Sequence, residues 1–177
     1  MVGEIRDLET AEIAVKAAQT GHMVISTLHT NDAPATVARL MKMGIKPFDI
    51  TTSVSLVIAQ RLARRLCPKC CIPASHSEAR LMSAGFTKEE IDAGMNIMAA
   101  KPGGCSECND GYKGRTGIYQ VMPMTEDIQD IILREGSIVE IEAACQKSKV
   151  RNLRQSALKK VKDGFIDLEE ADRVTLS

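Results

Sequence analysis

The sequence predicts an α/β protein: helices flanking a parallel sheet, then a metal-binding cysteine region, then a C-terminal helical bundle. Three observations carry this. The N-terminal stretch alternates short apolar, β-prone runs with capped helices, the order expected where a sheet is covered by helices. Two C-x-x-C pairs follow, "CPKC" and "CSEC", separated by a polar insert. Beyond "GRTGIYQVMPM" the chain reads as helical throughout, with repeated cap-x-x-Glu signatures.

Taken in order, Asp7 is placed to cap a helix over "LETAEIAVKAAQ", in which Ile13, Ala14, Ala17 and Ala18 form an apolar stripe and Gly21 marks the stop. "MVISTL" then reads as a buried strand. A second helix is expected over "APATVARLMKM", with Asn31 or Asp32 as cap, Pro34 in its first turn and Gly44 as terminator. Residues 48–59 fit either helix or strand, and helix is preferred; "QRLARRL" alternates like a half-exposed strand. In the insert, Thr87 and Glu90 have capping-box spacing and Gly94 closes a short helix. "GRTGIYQVMPM" reads as a strand. Ser137 with Glu140 and Asp167 with Glu170 repeat the cap signature, and Gly136 and Gly164 serve as stops. The domain boundaries expected from this pass are 1–66, 67–123 and 124–177.

Composition narrows the function. A chain of 177 residues with 44% hydrophobic content supports a packed core. The 23 basic residues equal the 23 acidic ones, so no global field draws the chain to nucleic acid or anionic lipid. Aromatics at 3%, with no Trp, are poor material for stacking bases. The basic run "RLARR" with Lys69 is the one local patch that would suit a zinc-ribbon nucleic-acid module, and no nucleic-acid partner is expected. No apolar run approaches the length of a membrane span and no signal peptide is visible, so the expected compartment is the cytoplasm, where the six cysteines are thiols or metal ligands.

Cys67, Cys70, Cys105 and Cys108 have the spacing of a four-thiolate zinc site, each pair making one knuckle of a tetrahedron. A structural zinc(II) is expected. Four unrelated thiols and a redox pair are the alternatives, though redox chemistry needs one pair and not two. Cys71, directly after Cys70, is a competing ligand, and Cys145 lies in a helical stretch as a buried residue.

Glu4 in "GEIRD" and His29 in "STLHTND" would both fall at carboxyl ends of parallel strands, where chemistry gathers in such sheets. Alone, each has a plain structural reading, a helix N-terminal charge and a strand-end cap. Together with their surroundings they carry a resemblance: "GEIRDLETAEIAVKAAQTGHMVISTLHTNDAPATVARL" resembles the Walker B and histidine-box region of the secretion ATPase superfamily. The cysteine pairs, "AQRLARRLC" and "GYKGRTGIYQVMP" narrow the resemblance to the branch of type IV pilus assembly and type II secretion ATPases, with pilus assembly the closer match.

The resemblance implies part of a RecA-like P-loop core and a cytoplasmic homo-hexameric motor. That motor would use ATP and magnesium to drive pilin polymerisation through an inner-membrane platform protein of a bacterium, the alternative being pseudopilus assembly in type II secretion. It implies that Glu4 orients or deprotonates the attacking water and helps order the magnesium shell, and that His29 senses the terminal phosphate. His22 joins the histidine box with a weaker claim. Arg6, expected to pair with Asp7 or an upstream acid, is not assigned as an arginine finger. Arg61 and Arg115 are candidates for the nucleotide face or the subunit interface, a solvated strand face being the alternative. Gln120 stands where the family usually has Glu. Nothing matches G-x-x-x-x-G-K-[ST]. The chain therefore reads as beginning within the Walker B strand and is expected not to hydrolyse ATP by itself.

Overall fold

The computed structural model describes residues 1–176. Its elements, in chain order, are α1 (Leu8–Gln19), α2 (Ala33–Lys42), α3 (Pro47–Ser53), β1 (Leu56–Leu66), β2 (Ile72–Pro73), α4 (Glu78–Ala84) and α5 (Lys88–Asp92). They continue as β3 (Met98–Ala99), β4 (Tyr112–Pro123), α6 (Glu126–Leu133), α7 (Ile138–Lys147), α8 (Leu153–Lys162) and α9 (Leu168–Thr175). β1 pairs with β4, and β2 pairs antiparallel with β3. The chain forms two compact units, one of residues 1–59 and 120–151, the other of residues 60–119 and those from 152 onward.

In the first unit α1 starts where Asp7 Oδ1 accepts the Thr10 N–H at 2.8 Å, and α2 where Asp32 Oδ1 accepts the Ala35 N–H at 2.7 Å. Asp32, not Asn31, is thus the cap. The face of α1 turned inward is carried by Ala11 and Ala14, while Ile13 is 59% exposed. The stripe expected from Ile13, Ala14, Ala17 and Ala18 is therefore rotated, because small alanines let α1 lie close against α3. The ambiguous run 48–59 divides: α3 ends at Ser53 and β1 begins at Leu56, ahead of the expected strand start at Gln60. Val37, Leu40, Ile50, Met122, Ile128, Ile132 and Ile141 fill the core.

"MVISTL" departs from its expected buried strand. The run is extended and lies beside residues 2–5, with Val2 N–H donating to Ile25 O at 3.0 Å and Ile5 N–H to Thr27 O at 2.9 Å. Both bonds advance in the same direction, so the two segments run parallel. Yet Met23 is 88% and Ile25 60% exposed, and neither segment is a regular strand. A parallel strand is buried only when neighbours flank it and helices cover both faces, and two hydrogen bonds to one segment do not supply that.

The second unit is built around Ala63, Leu81, Phe86, Ile97, Ile118, Leu158, Val161, Ile166, Leu168 and Ala171. The capping box of Thr87 and Glu90 forms on α5, as that of Ser137 and Glu140 does on α7 in the first unit. A further box, Asn152 with Gln155, opens α8. At α9, Asp167 accepts the Glu170 N–H at 2.9 Å, but the Glu170 carboxylate turns away from the cap. It is fully buried and takes Arg64 (Nε 3.0 Å, Nη2 2.8 Å, backbone N 2.6 Å) and Arg173 (Nε 2.8 Å) instead. The C-terminal helices do not gather into one bundle: α6 and α7 pack together in the first unit, α8 and α9 in the second. Helical spacing marks each helix and says nothing of which partner its apolar face finds.

Candidate functional site

The two bonds that align residues 2–5 with 25–27 bring Glu4 and His29 to the same end of the paired segments. Thr27 Oγ1 fastens the alignment by donating to Gly3 O at 2.9 Å. Glu4 Oε1 lies 2.9 Å from His29 Nε2. Glu4 Oε2 accepts from Arg6 Nε at 2.7 Å and Nη2 at 2.6 Å. Arg6 thus pairs with Glu4; Asp7 is occupied by the N–H of Thr10, which also lowers its pKa. The Arg6 hydrogen bond, with the Arg6 and His29 charges behind it, holds the Glu4 carboxyl below its ordinary pKa against a smaller opposing effect of burial. The Glu4 side chain is 20% exposed and that of His29 89%, so the carboxylate is sheltered behind an imidazole open to solvent.

Such an arrangement can hold an ionised carboxylate ready to accept a proton, beside a ring nitrogen able to hydrogen-bond an anion. His22 stands apart from this pair, its Nδ1 3.2 Å from Thr20 Oγ1. Arg61 on β1 and Arg115 on β4 both belong to the second unit, where Arg115 is exposed.

The second constellation lies wholly in the second unit. The sulfurs of Cys67, Cys70, Cys105 and Cys108 all fall within 4.8 Å of one another. The separations are 3.9 Å for Cys67–Cys105, 3.7 Å for Cys70–Cys108 and 3.6 Å for Cys105–Cys108. Zinc–sulfur bonds of about 2.3 Å in a tetrahedron require sulfur edges of about 3.8 Å, so the donor set fits that ion. Cys71 is not among the clustered sulfurs.

Tight backbone turns make the knuckles: Cys70 and Cys71 N–H donate to Cys67 O at 3.3 and 3.0 Å, and Cys108 N–H donates to Cys105 O at 3.2 Å. The second knuckle closes around two glycines in the left-handed region. A Cβ on Gly104 (φ 62°) would sit 2.7 Å from Gly111 N and 2.8 Å from the Cys108 sulfur. One on Gly111 (φ 82°) would sit 2.8 Å from the Ala100 Cβ.

Two of the thiols are shifted in opposite directions. The Cys105 N–H, 3.2 Å from the Cys108 sulfur, leads the effects that bring Cys108 down to about 7, while burial and the neighbouring sulfurs push Cys70 up to about 12. Thiolate character at neutral pH is what a metal ion requires of its ligands. Glu107, the acid inside the second knuckle, is not among the clustered ligand atoms and pairs with Lys69 of the first knuckle and with Lys113 at 3.3 Å. Four sulfurs and no carboxylate therefore define the cluster.

The model of the family described as "Type II/IV secretion system protein" matches residues 1–173. The chain belongs to that family. Type IV pilus assembly ATPase PilB of Acinetobacter baylyi is 55% identical over 175 residues, 99% of this chain and 30% of that protein. PilB of Pseudomonas aeruginosa is 50% identical over the same length. Type II secretion system ATPase E of Vibrio cholerae is 44% identical over 177 residues, covering 99% of this chain and 34% of that one. The chain thus spans about a third of the length of these relatives.

Among solved structures, that of the pilus retraction motor PilT with bound ADP superposes with a TM-score of 0.65 at 22% identity, over 99% of this chain and 40% of PilT. The ATPase DotB of Legionella pneumophila gives 0.61 at 24% identity, over 98% and 37%. These likenesses show the α/β fold. The family membership bears out the resemblance drawn from the histidine-box region and the cysteine pairs.

One residue the sequence marked only as a departure from the family pattern acquires a role here. Gln120, 3% exposed, accepts the Ala33 N–H at 3.1 Å through Oε1. The Glu170 cluster, by contrast, has no sequence signal beyond a cap spacing, because its arginines lie 106 residues before and 3 residues after the acid.

Proposed function

We propose that this chain is the acid-and-histidine portion of a cytoplasmic, hexameric ATPase that drives type IV pilus assembly at the bacterial inner membrane by acting on a platform protein there. The observation that carries this is the 2.9 Å contact of Glu4 Oε1 with His29 Nε2, which joins the two residues that the resemblance to the family marks as its acid and histidine. The 55% identity to PilB against 44% to the type II secretion ATPase favours pilin over pseudopilin as the polymerised subunit.

In this reading Glu4 orients the attacking water and takes its proton, and Arg6 keeps it ionised until then. His29, released from Glu4, hydrogen-bonds a terminal phosphate oxygen and so ties the phosphate's presence to the position of its own loop. Magnesium, when bound, neutralises charge on the phosphate oxygens. Cys67, Cys70, Cys105 and Cys108 would hold a structural zinc that adds folding free energy and does no chemistry. A nucleic-acid module is disfavoured because the basic run is engaged internally: Arg64 with Glu170, Arg65 over the Phe165 ring at 5.2 Å and Lys69 with Glu107.

Grafting residues 1–173 in place of the matching stretch of A. baylyi PilB tests this. The chimera is expected to hydrolyse ATP, and Glu4→Gln to lower its kcat at least about 100-fold. The 177-residue chain alone, without a G-x-x-x-x-G-K-[ST] sequence, is expected to show no turnover. A folded chimera whose turnover is indifferent to Glu4→Gln overturns the assignment.

A further inference from the structure

The turn that presents His29 runs directly into α2, so the way α2 begins governs where His29 can stand. Backbone N–H groups in a helix's first turn lack partners within the helix, and those shut away from water must find acceptors elsewhere. In the first turn of α2, Pro34 has no N–H to satisfy, and the Ala35 N–H is taken by Asp32. Ala33, fully buried, keeps an N–H that neither the helix nor the Asp32 side chain takes. Its acceptor is Gln120 Oε1, 87 residues away in sequence, at the point where β4 enters the first unit. A second clasp closes the same turn, Thr30 Oγ1 lying 2.7 Å from Thr36 Oγ1, which in turn donates to Asp32 O.

We propose that Gln120 is a positioning residue for the Glu4–His29 pair: its side-chain carbonyl holds the N-terminus of α2, and with it the turn of residues 29–32 that carries His29. The His29 side chain is 89% exposed and has little packing of its own to fix it, so its placement against Glu4 depends on the backbone beneath it. An amide suits this task because it offers the acceptor without a charge in a site 3% exposed, and the anchor therefore does not titrate. The inference rests on the reading of Glu4 and His29 as the catalytic pair.

The test is nuclear magnetic resonance of the ¹⁵N-labelled 177-residue chain, reading the imidazole signals of His29 and the amide exchange of Ala33. The Glu4→Gln variant supplies the His29 signals of a broken pair, and His22 and His76 serve as internal controls. Gln120→Leu is expected to speed Ala33 exchange roughly tenfold or more and to move the His29 signals toward those of Glu4→Gln, leaving His22 and His76 in place. Gln120→Met, closer in shape but without the acceptor, repeats the measurement should Leu disturb packing. Faster Ala33 exchange with unmoved His29 signals would reduce Gln120 to a helix anchor and overturn the proposal, as would unchanged exchange in both variants. Turnover of the chimera reads the chemical role of the pair independently, so failure of that role and failure of the positioning role give different results.

Discussion

Glu170 shows how a single residue sets a pH dependence. Burial alone would raise its pKa, but Arg173 and Arg64 outweigh that and bring it down to about 2. A folded-state pKa below the ordinary 4.5 contributes stability that is fully present above about pH 4.5 and is lost as pH falls toward 2. The shift corresponds to about 3 kcal/mol, at about 1.4 kcal/mol per unit. Gln at this position has the shape of the protonated acid. Glu170→Gln is therefore expected to lower stability by about 3 kcal/mol near neutral pH, with the deficit shrinking below pH 4.5 and nearly vanishing toward pH 2. Urea unfolding of both proteins across that range checks it, and a deficit that stays constant with pH would mean that the two arginines are not what stabilises the carboxylate. The side chain does not act alone: Arg64 also lies 4.0 Å over the Tyr112 ring, and Tyr112 donates to Asp167 at 2.6 Å.

At the scale of an element, the second cysteine knuckle depends on its glycines as much as on its sulfurs. Gly103, Gly104 and Gly111 all have positive φ, but only the last two are enclosed; nothing lies within 4 Å of a Cβ built on Gly103. Gly104→Ala and Gly111→Ala are expected to abolish metal binding by pushing Cys108 or the segment around Ala100 out of place. Gly103→Ala is expected to cost only about 1 kcal/mol of backbone strain and to keep the metal. Elemental analysis of the purified variants reads this directly. The same measurement on the unaltered chain is expected to give about one zinc per chain, and none in Cys67→Ser or Cys105→Ser, since three sulfurs leave the tetrahedron open. Equal zinc in all three glycine variants would show that the knuckle tolerates a displaced backbone.

For the molecule as a whole, the zero net charge conceals a partition: acidic side chains outnumber basic ones in the first unit, and the reverse holds in the second. The apolar surface is also unevenly spread. Met23 and Ile25 stand exposed on an extended segment whose backbone is available for further pairing, the combination that promotes edge-to-edge association. The isolated chain is expected to self-associate with rising concentration, and Ile25→Lys to keep it monomeric. Sedimentation velocity over a concentration series decides, and identical profiles for the two proteins would place the association elsewhere.

The N-terminal caps of α1, α5, α7 and α9 were legible in the sequence, because Asp7, Thr87, Ser137 and Asp167 act within three residues of themselves, whereas the left-handed residue after α6 is Glu135 and not the expected Gly136. Also legible was the four-cysteine set, whose chemistry is written in its spacing. The face α1 turns inward, the division of the C-terminal helices between two units and the exposure of "MVISTL" were not, since each depends on which surface an apolar face meets. The sequence by itself determined the α/β class, the family, the four cysteines that cluster and the candidate acid and histidine. Tertiary structure alone decided that Arg6 serves Glu4, that Glu170 leaves its cap for two arginines, and that Gln120 holds the start of α2. Hydrogen bonds and ion pairs between residues distant in the chain follow from packing, which local periodicity does not encode.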